Sequence, residues 1–381
     1  MDRSAAEAAK KRNGRAKRTA ALIMIVILVA GAVSAYVFRD RANDVFRSVF
    51  GRQSDEITAE SFIYEAGARQ VYALAGNGLA VASANGVTLF DAKGKTAAKQ
   101  NLSADNPALA ASATRCAFFD IGGNTLRVID FNGQITVMDT KNTIISVSMN
   151  NAGWMAVTCE WPGYKGHVTI YNAKSEPVYE WYSGSGYVIK AVVSPDCKEM
   201  AALCATARGG RIAVYALNDE SEKSSFLSPD ELLLDLCYVK NGLLCSVSER
   251  RAVFSNSSDG EAVSFEFDGL YLSGYDFDGD GFAAFVLSRY RSGNDMTLVT
   301  VDFNGTLIGK LEMQRDLLSL SANGNRLAAL YSDGLELYSD ELSLLAVSED
   351  ISGIRKALLR SKNEALLLSA YHAAPYSFTA S

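Results

Sequence analysis

The chain has 381 residues, with 37 Lys+Arg against 43 Asp+Glu, a formal net charge of −6, and 48 % apolar content. That balance excludes a mainly disordered chain, and 6 cysteines over this length exclude a disulfide-stapled miniature scaffold. Charge is unevenly spread: residues 1–18 hold seven basic and two acidic groups, and the remainder holds 30 basic and 41 acidic ones, an acidic balance that argues against nucleic-acid binding.

Ala20 to Phe38 contains no charge and only Ser34 as a polar side chain. About 20 such residues cross the hydrocarbon core as a helix. The basic residues lie just before the span, so the N-terminus is expected in the cytoplasm and the rest of the chain outside. The competing reading is a cleaved signal peptide, with Val33-Ser34-Ala35 as the cleavage-type triplet. Apolar character continues through Tyr36, Val37 and Phe38, which favours an uncleaved signal anchor. After it, Val45, Phe46, Val49 and Phe50 recur at helical spacing. The expected organisation is a basic cytoplasmic tail over 1–18, a transmembrane helix over 19–38, a juxtamembrane helix and linker over 39–59, and an extracytoplasmic body over 60–381.

From about residue 60 onward, apolar and β-branched runs alternate with Gly, Asn, Asp and Ser turns, which predicts an all-β body. Eight apolar runs recur: 78–83, 116–121, 154–159, 199–204, 242–247, 281–286, 326–331 and 364–369. Their starts are 38 to 45 residues apart, the period of β-propeller blades with this run as the second strand. Tight-turn pairs such as Asn77-Gly78, Asn241-Gly242 and Asn323-Gly324 lie at or near the starts of these runs. Eight blades are favoured, with seven as the alternative. The last unit has room for one further strand, PYSFTAS at 375–381, and the early run SFIYEA at 61–66 is expected to supply its outer strand and close the ring.

The repeat length and strand pattern resemble those of WD-repeat and quinoprotein-type propellers. Phe90-Asp91, Ile129-Asp130 and Tyr171-Asn172 stand where WD repeats carry Trp-Asp. Span and propeller together, residues 20–381, resemble an uncharacterised family of single-pass, membrane-anchored propeller proteins of Gram-positive, clostridium-type bacteria. The resemblance is one of architecture, and it implies no catalytic residues.

One motif suggests a metal. Asp276, Asp278 and Asp280, followed by Gly281, start an EF-hand-type loop suited to calcium. Ala284 and Leu287 stand where later ligands are expected, and an acidic hairpin turn is the competing reading. The cysteines form no CxxC pair and read as buried small hydrophobes. Counting pairs outward from the Asn241-Gly242 turn places Cys237 and Cys245 on opposite faces, which disfavours a disulfide between them. No G-x-S-x-G elbow, Rossmann fingerprint or P-loop is found.

Strand parity places the links after second and fourth strands on one face. Three second-to-third links are long and aromatic: 160–167, with Trp161, Tyr164 and His167; 289–294, with Tyr290 and Arg291; and 371–376, with Tyr371 and His372. A fourth-to-first link adds Trp181, Tyr182 and Tyr187. These ten residues form the expected ligand-binding face, since exposed aromatics with arginine suit proteins and flat aromatic faces suit sugars. The leading expectation is a membrane-tethered, non-catalytic scaffold for a protein or cell-wall glycan at the outer surface of the plasma membrane. A quinone-dependent or polysaccharide-active propeller enzyme is the alternative.

Overall fold

The computed structural model describes residues 61–378 apart from 294, 350 and 352. The basic tail, the span and the juxtamembrane stretch lie outside the described residues. Among those described, no helix is long and apolar enough to cross a membrane.

The body is an eight-bladed β-propeller, each blade a four-stranded antiparallel sheet. Blades 1 to 7 cover residues 71–101, 107–139, 144–182, 187–229, 233–266, 271–313 and 317–348, their strands in simple chain order. Blade 8 takes three strands from 356–377 and its fourth from Phe62–Ile63. First strands touch in succession from blade 1 to blade 5 and again from blade 6 to blade 8, and therefore line the centre.

The expected second strands all occupy that place, and their sequences explain why. Gly78–Ser83 is buried along its whole length, as are Met155–Cys159 and Phe282–Ser288. A strand with neighbours in its own sheet and a blade against each face has no solvent side, so it reads as a continuous apolar run. Fourth strands have a free edge and mix exposed residues in, as in Ala262–Glu266. Eight core clusters result, one per seam between blades. The seam between blades 8 and 1 is completed by Phe62 and Tyr64 together with Leu79, Phe90 and Leu366.

Turn chemistry is shared between blades. Asp130 Oδ1 accepts the backbone N–H groups of Asn132 and Gln134, both at 2.9 Å. Asp302 does the same for Asn304 and Thr306, and Asp91 and Asn172 close equivalent turns. The residue three positions on is left-handed: Gly94, Gly133, Ser175 and Gly305 all have positive φ. In blades 1, 2, 3 and 6 the Asp or Asn at the end of the third strand is thus a turn cap.

Closure is as expected from 61–66. Phe62 pairs with Ala373 and Ile63 with His372. The Tyr64 hydroxyl donates to the carbonyls of Ser369 and His372, each at 2.9 Å. This outer strand runs antiparallel to the third strand of blade 8. The chain therefore enters blade 8 on the face that carries the turns after first and third strands, and leaves it on that same face at Phe378.

Two sequence expectations are corrected. The segment 371–376 is not a long loop, because the strand starts at His372 and runs to Ser377. Pro375 fits there because the outer strand covers only His372 and Ala373, leaving an edge on which proline is tolerated. Cys237 and Cys245 do not face opposite ways: they are direct partners across blade 5. The register shifts between Tyr238 and Lys240, and the extra residue, Val239, reverses the parity counted from the turn.

Candidate functional site

All blades being antiparallel and blades 1 to 7 being in chain order, the links after second and fourth strands share one face, called here the loop face. On it the link 160–167 of blade 3 is held by backbone bonds, Lys165 N–H to Ser183 O at 2.8 Å and Val188 N–H to Lys165 O at 3.1 Å. Gly166 makes the approach to blade 4 feasible: its φ is +146°, and a Cβ there would lie 2.8 Å from Val188 Cγ2. The link then joins the third strand of blade 3, His167–Tyr171, whose first residue pairs with Tyr182.

Rings accumulate at that corner. His167 stacks on Tyr182 with centroids 4.3 Å apart. Trp161 stands 4.7 Å from His167 and meets Tyr182 edge-on at 5.4 Å. Tyr164 lies 5.1 Å from Tyr182. His167 is buried, and its Nε2 lies 3.7 Å from the Glu180 carboxylate with no hydrogen-bond partner. Burial pulls its pKa below the ordinary value against the attraction of Glu180, so the ring is neutral at pH 7 and serves as a stacking base. Tyr182 is held from its other end, its hydroxyl donating to Glu180 Oε2 at 3.0 Å.

Trp161, Tyr164 and Tyr187 line an open groove of about 700 Å³ across blades 2, 3 and 4. Tyr164 is 50 % and Tyr187 61 % exposed. The Lys165 ammonium lies 4.4 Å from the Tyr187 ring centre and donates to its hydroxyl at 2.9 Å. The far wall comes from blade 2 and its link to blade 3: Gly122, Gly123, Asn124, Lys141, Asn142 and Thr143. Sequence reasoning did not single these out. Their links are short and carry no aromatic residue, and only their loop-face position connects them with Trp161.

The ten expected face residues separate into groups. Trp161, Tyr164, His167, Tyr182 and Tyr187 come together at the groove. Trp181 points the other way: it pairs with Val168, packs on the blade 3–4 core and sits 5.2 Å from Tyr215. Tyr290 and Arg291 lie on blade 6, where the guanidinium stands 5.5 Å from the Tyr271 ring. Tyr371 and His372 lie on blade 8, with His372 Nδ1 2.7 Å from Ser369 Oγ.

The acidic motif lies on the opposite, turn face. Asp278 N–H donates to Asp276 Oδ1 at 2.8 Å, while Asp280 N–H donates to Gly324 O at 2.7 Å. Gly279 bridges Gly324 of blade 7, so the segment lies against its neighbour instead of winding about a centre. Among the described residues no group of three or more His, Cys, Asp or Glu is placed to hold a metal ion. Burial raises the Asp276 pKa, and the charge of Asp278 adds to it; burial raises Asp278 as well.

A model described as a family of unknown function, DUF5711, matches residues 52–344. The chain belongs to that family. No curated protein matches it in sequence. The DUF5711 propeller is similar in fold to the C-terminal WD40 domain of Sif2, with 14 % identity, a TM-score of 0.59, and coverage of 85 % of this chain and 98 % of that one. It is similar to the computationally designed Ika8 protein at 11 % identity and a TM-score of 0.62, covering 84 % of this chain and 99 % of that one. BamB from Moraxella catarrhalis gives 12 % identity and a TM-score of 0.54, with 84 % and 98 % covered. At such identities the likeness is one of fold.

Proposed function

We propose that this protein is a non-catalytic binding module, tethered to the plasma membrane by a helix over residues 19–38, with its propeller outside the cell and the blade 2–4 groove as its ligand site. The observation that carries this reading is the braced aromatic corner. Trp161 and Tyr164 pack against Tyr182, which His167 backs, so the rings are held before a ligand arrives and little rotamer entropy is lost on binding. A cell-wall glycan suits it best. Sugar ring faces stack on exposed aromatics, and hydroxyls need polar groups such as Asn142 and Glu160, whose side chains have no hydrogen-bond partner among the described residues. The charge character of the whole chain, net −6, adds no case for nucleic acid. A protein segment is the other ligand class.

The test uses the full chain in mild detergent, incubated with insoluble cell-wall glycan and, in parallel, with solubilised membrane proteins. Binding to glycan that weakens at least tenfold in Trp161→Ala and Tyr164→Ala supports the reading. Equal binding by wild type and both variants removes the groove from consideration. Retention of one protein and no glycan moves the ligand class to protein.

A further inference from the structure

Blade 5 contains the two cysteines that the sequence count had separated. Cys237 lies in its first strand, Leu233–Lys240, and Cys245 in its second, Leu243–Ser248. They are paired residue to residue, and both belong to the same core cluster at the seam with blade 6, so their side chains share one face of the sheet. Directly opposed residues of antiparallel strands have Cα atoms roughly 4.5–5.5 Å apart. Disulfides usually span roughly 4.4–6.8 Å between Cα atoms. The ladder also shifts register on each side of the pair, between Leu233 and Asp235 and between Tyr238 and Lys240, which leaves the first strand room to adjust.

Access is asymmetric. Cys245 is fully buried, whereas Cys237 is half-buried and lines a cavity of about 260 Å³ beside Lys190, Tyr238 and Asp278. The remaining cysteines are not so arranged. Cys116, Cys159 and Cys204 lie in the second strands of three different blades, and Cys197 lies in a turn, where its thiol is bonded by Asn150.

We infer that Cys237 and Cys245 form a cross-strand disulfide when the protein meets a disulfide donor, with Cys237 as the entry thiol and Cys245 as the resolving one. Glutathione disulfide serves as the oxidant. The Cys237 sulfur attacks one glutathione sulfur, breaks its S–S bond and releases one glutathione, which carries away the proton. The Cys245 sulfur then attacks Cys237 Sγ and expels the second glutathione with the second proton. Two protein thiols are oxidised and one glutathione disulfide is reduced to two glutathiones. Burial raises both thiols, so the exchange is slow at neutral pH and quickens as pH rises.

The test incubates the folded full chain with glutathione disulfide at pH 8.5, blocks free thiols, and maps peptides without reduction. A peptide joining Cys237 to Cys245 is expected, with two of the six thiols lost. Cys245→Ser should instead hold glutathione on Cys237, and Cys237→Ser should leave Cys245 unreacted. Circular dichroism establishes that each variant is folded. Thiols unchanged after prolonged oxidation, a link between other cysteines, or a stable glutathione adduct on wild-type Cys237 overturns the inference.

Discussion

Phe62 holds the ring shut, and replacing it with alanine measures by how much. Its side chain is fully buried and meets Phe90 of blade 1 edge-on at 5.8 Å. Removing a buried phenylalanine costs about 3–5 kcal/mol through lost transfer energy and the cavity left behind. The strand it anchors has only two residue pairs, and their backbone bonds add about 1 kcal/mol each. Without Phe62 the strand keeps those bonds and the buried Tyr64, whose hydroxyl donates to two carbonyls, so the weakened strand should detach ahead of the ring as urea rises, at a decrement of about 3–5 kcal/mol. Equilibrium urea unfolding of the full chain is the assay. The expected result is a lower midpoint together with a smaller slope, because a detached strand leaves less surface to expose. Ile63→Ala is the control: that side chain is 73 % exposed, and its loss should stay within about 0.5 kcal/mol. A Phe62→Ala decrement below about 1 kcal/mol, or one equal to that of Ile63→Ala, refutes closure by this residue.

Trp161→Ala should weaken ligand binding and leave the unfolding midpoint nearly unchanged, whereas Trp181→Ala, which empties the seam beside Tyr215, should cost about 3 kcal/mol and spare affinity; calorimetric binding and urea unfolding on the same variants separate the two. Asp276→Asn should stabilise the protein at pH 7. Burial and Asp278 make the folded chain hold that proton more tightly than the unfolded chain, so stability falls as pH rises from about 4 towards the raised folded value; the variant's advantage should vanish near pH 4, and a constant difference across the range would count against it. His167 acts in the other direction. Its folded pKa lies below the unfolded one, so stability is complete above about pH 6.5 and declines as pH falls below it. Tryptophan fluorescence should follow that decline, and His167→Gln should abolish it.

The ring was legible because burial on both faces leaves second strands such as GLAVAS and EMAALC as unbroken apolar runs, and the third-strand acids followed by left-handed residues mark the turns after them. Closure was legible because SFIYEA has no sheet of its own ahead of blade 1. The register beyond Lys240 was not legible, because a bulge at Val239 carries no compositional mark and one residue suffices to turn Cys237 over. Half of the groove was visible in the aromatic link 160–167. The other half, Gly122 to Asn124 and Lys141 to Thr143, consists of short polar links that only the ring geometry brings opposite Trp161. Trp181 was misplaced among the groove residues because adjacent positions in a strand face opposite sides, and the strand Pro177–Tyr182 extends further than the aromatic cluster suggests.

The direction in which the outer strand of blade 8 runs has a mechanical consequence. Tension arriving from residue 61 loads Phe62 and Ile63 first, and a load on the groove reaches them only after crossing the blades. With the tether and the groove ligand proposed above, the propeller would be pulled from its turn face and gripped from its loop face, and the force line would pass through the shortest of the described strands. Under rising load the seam between blades 8 and 1 should yield before any other, with Tyr64 and its two carbonyl partners as the last point of attachment.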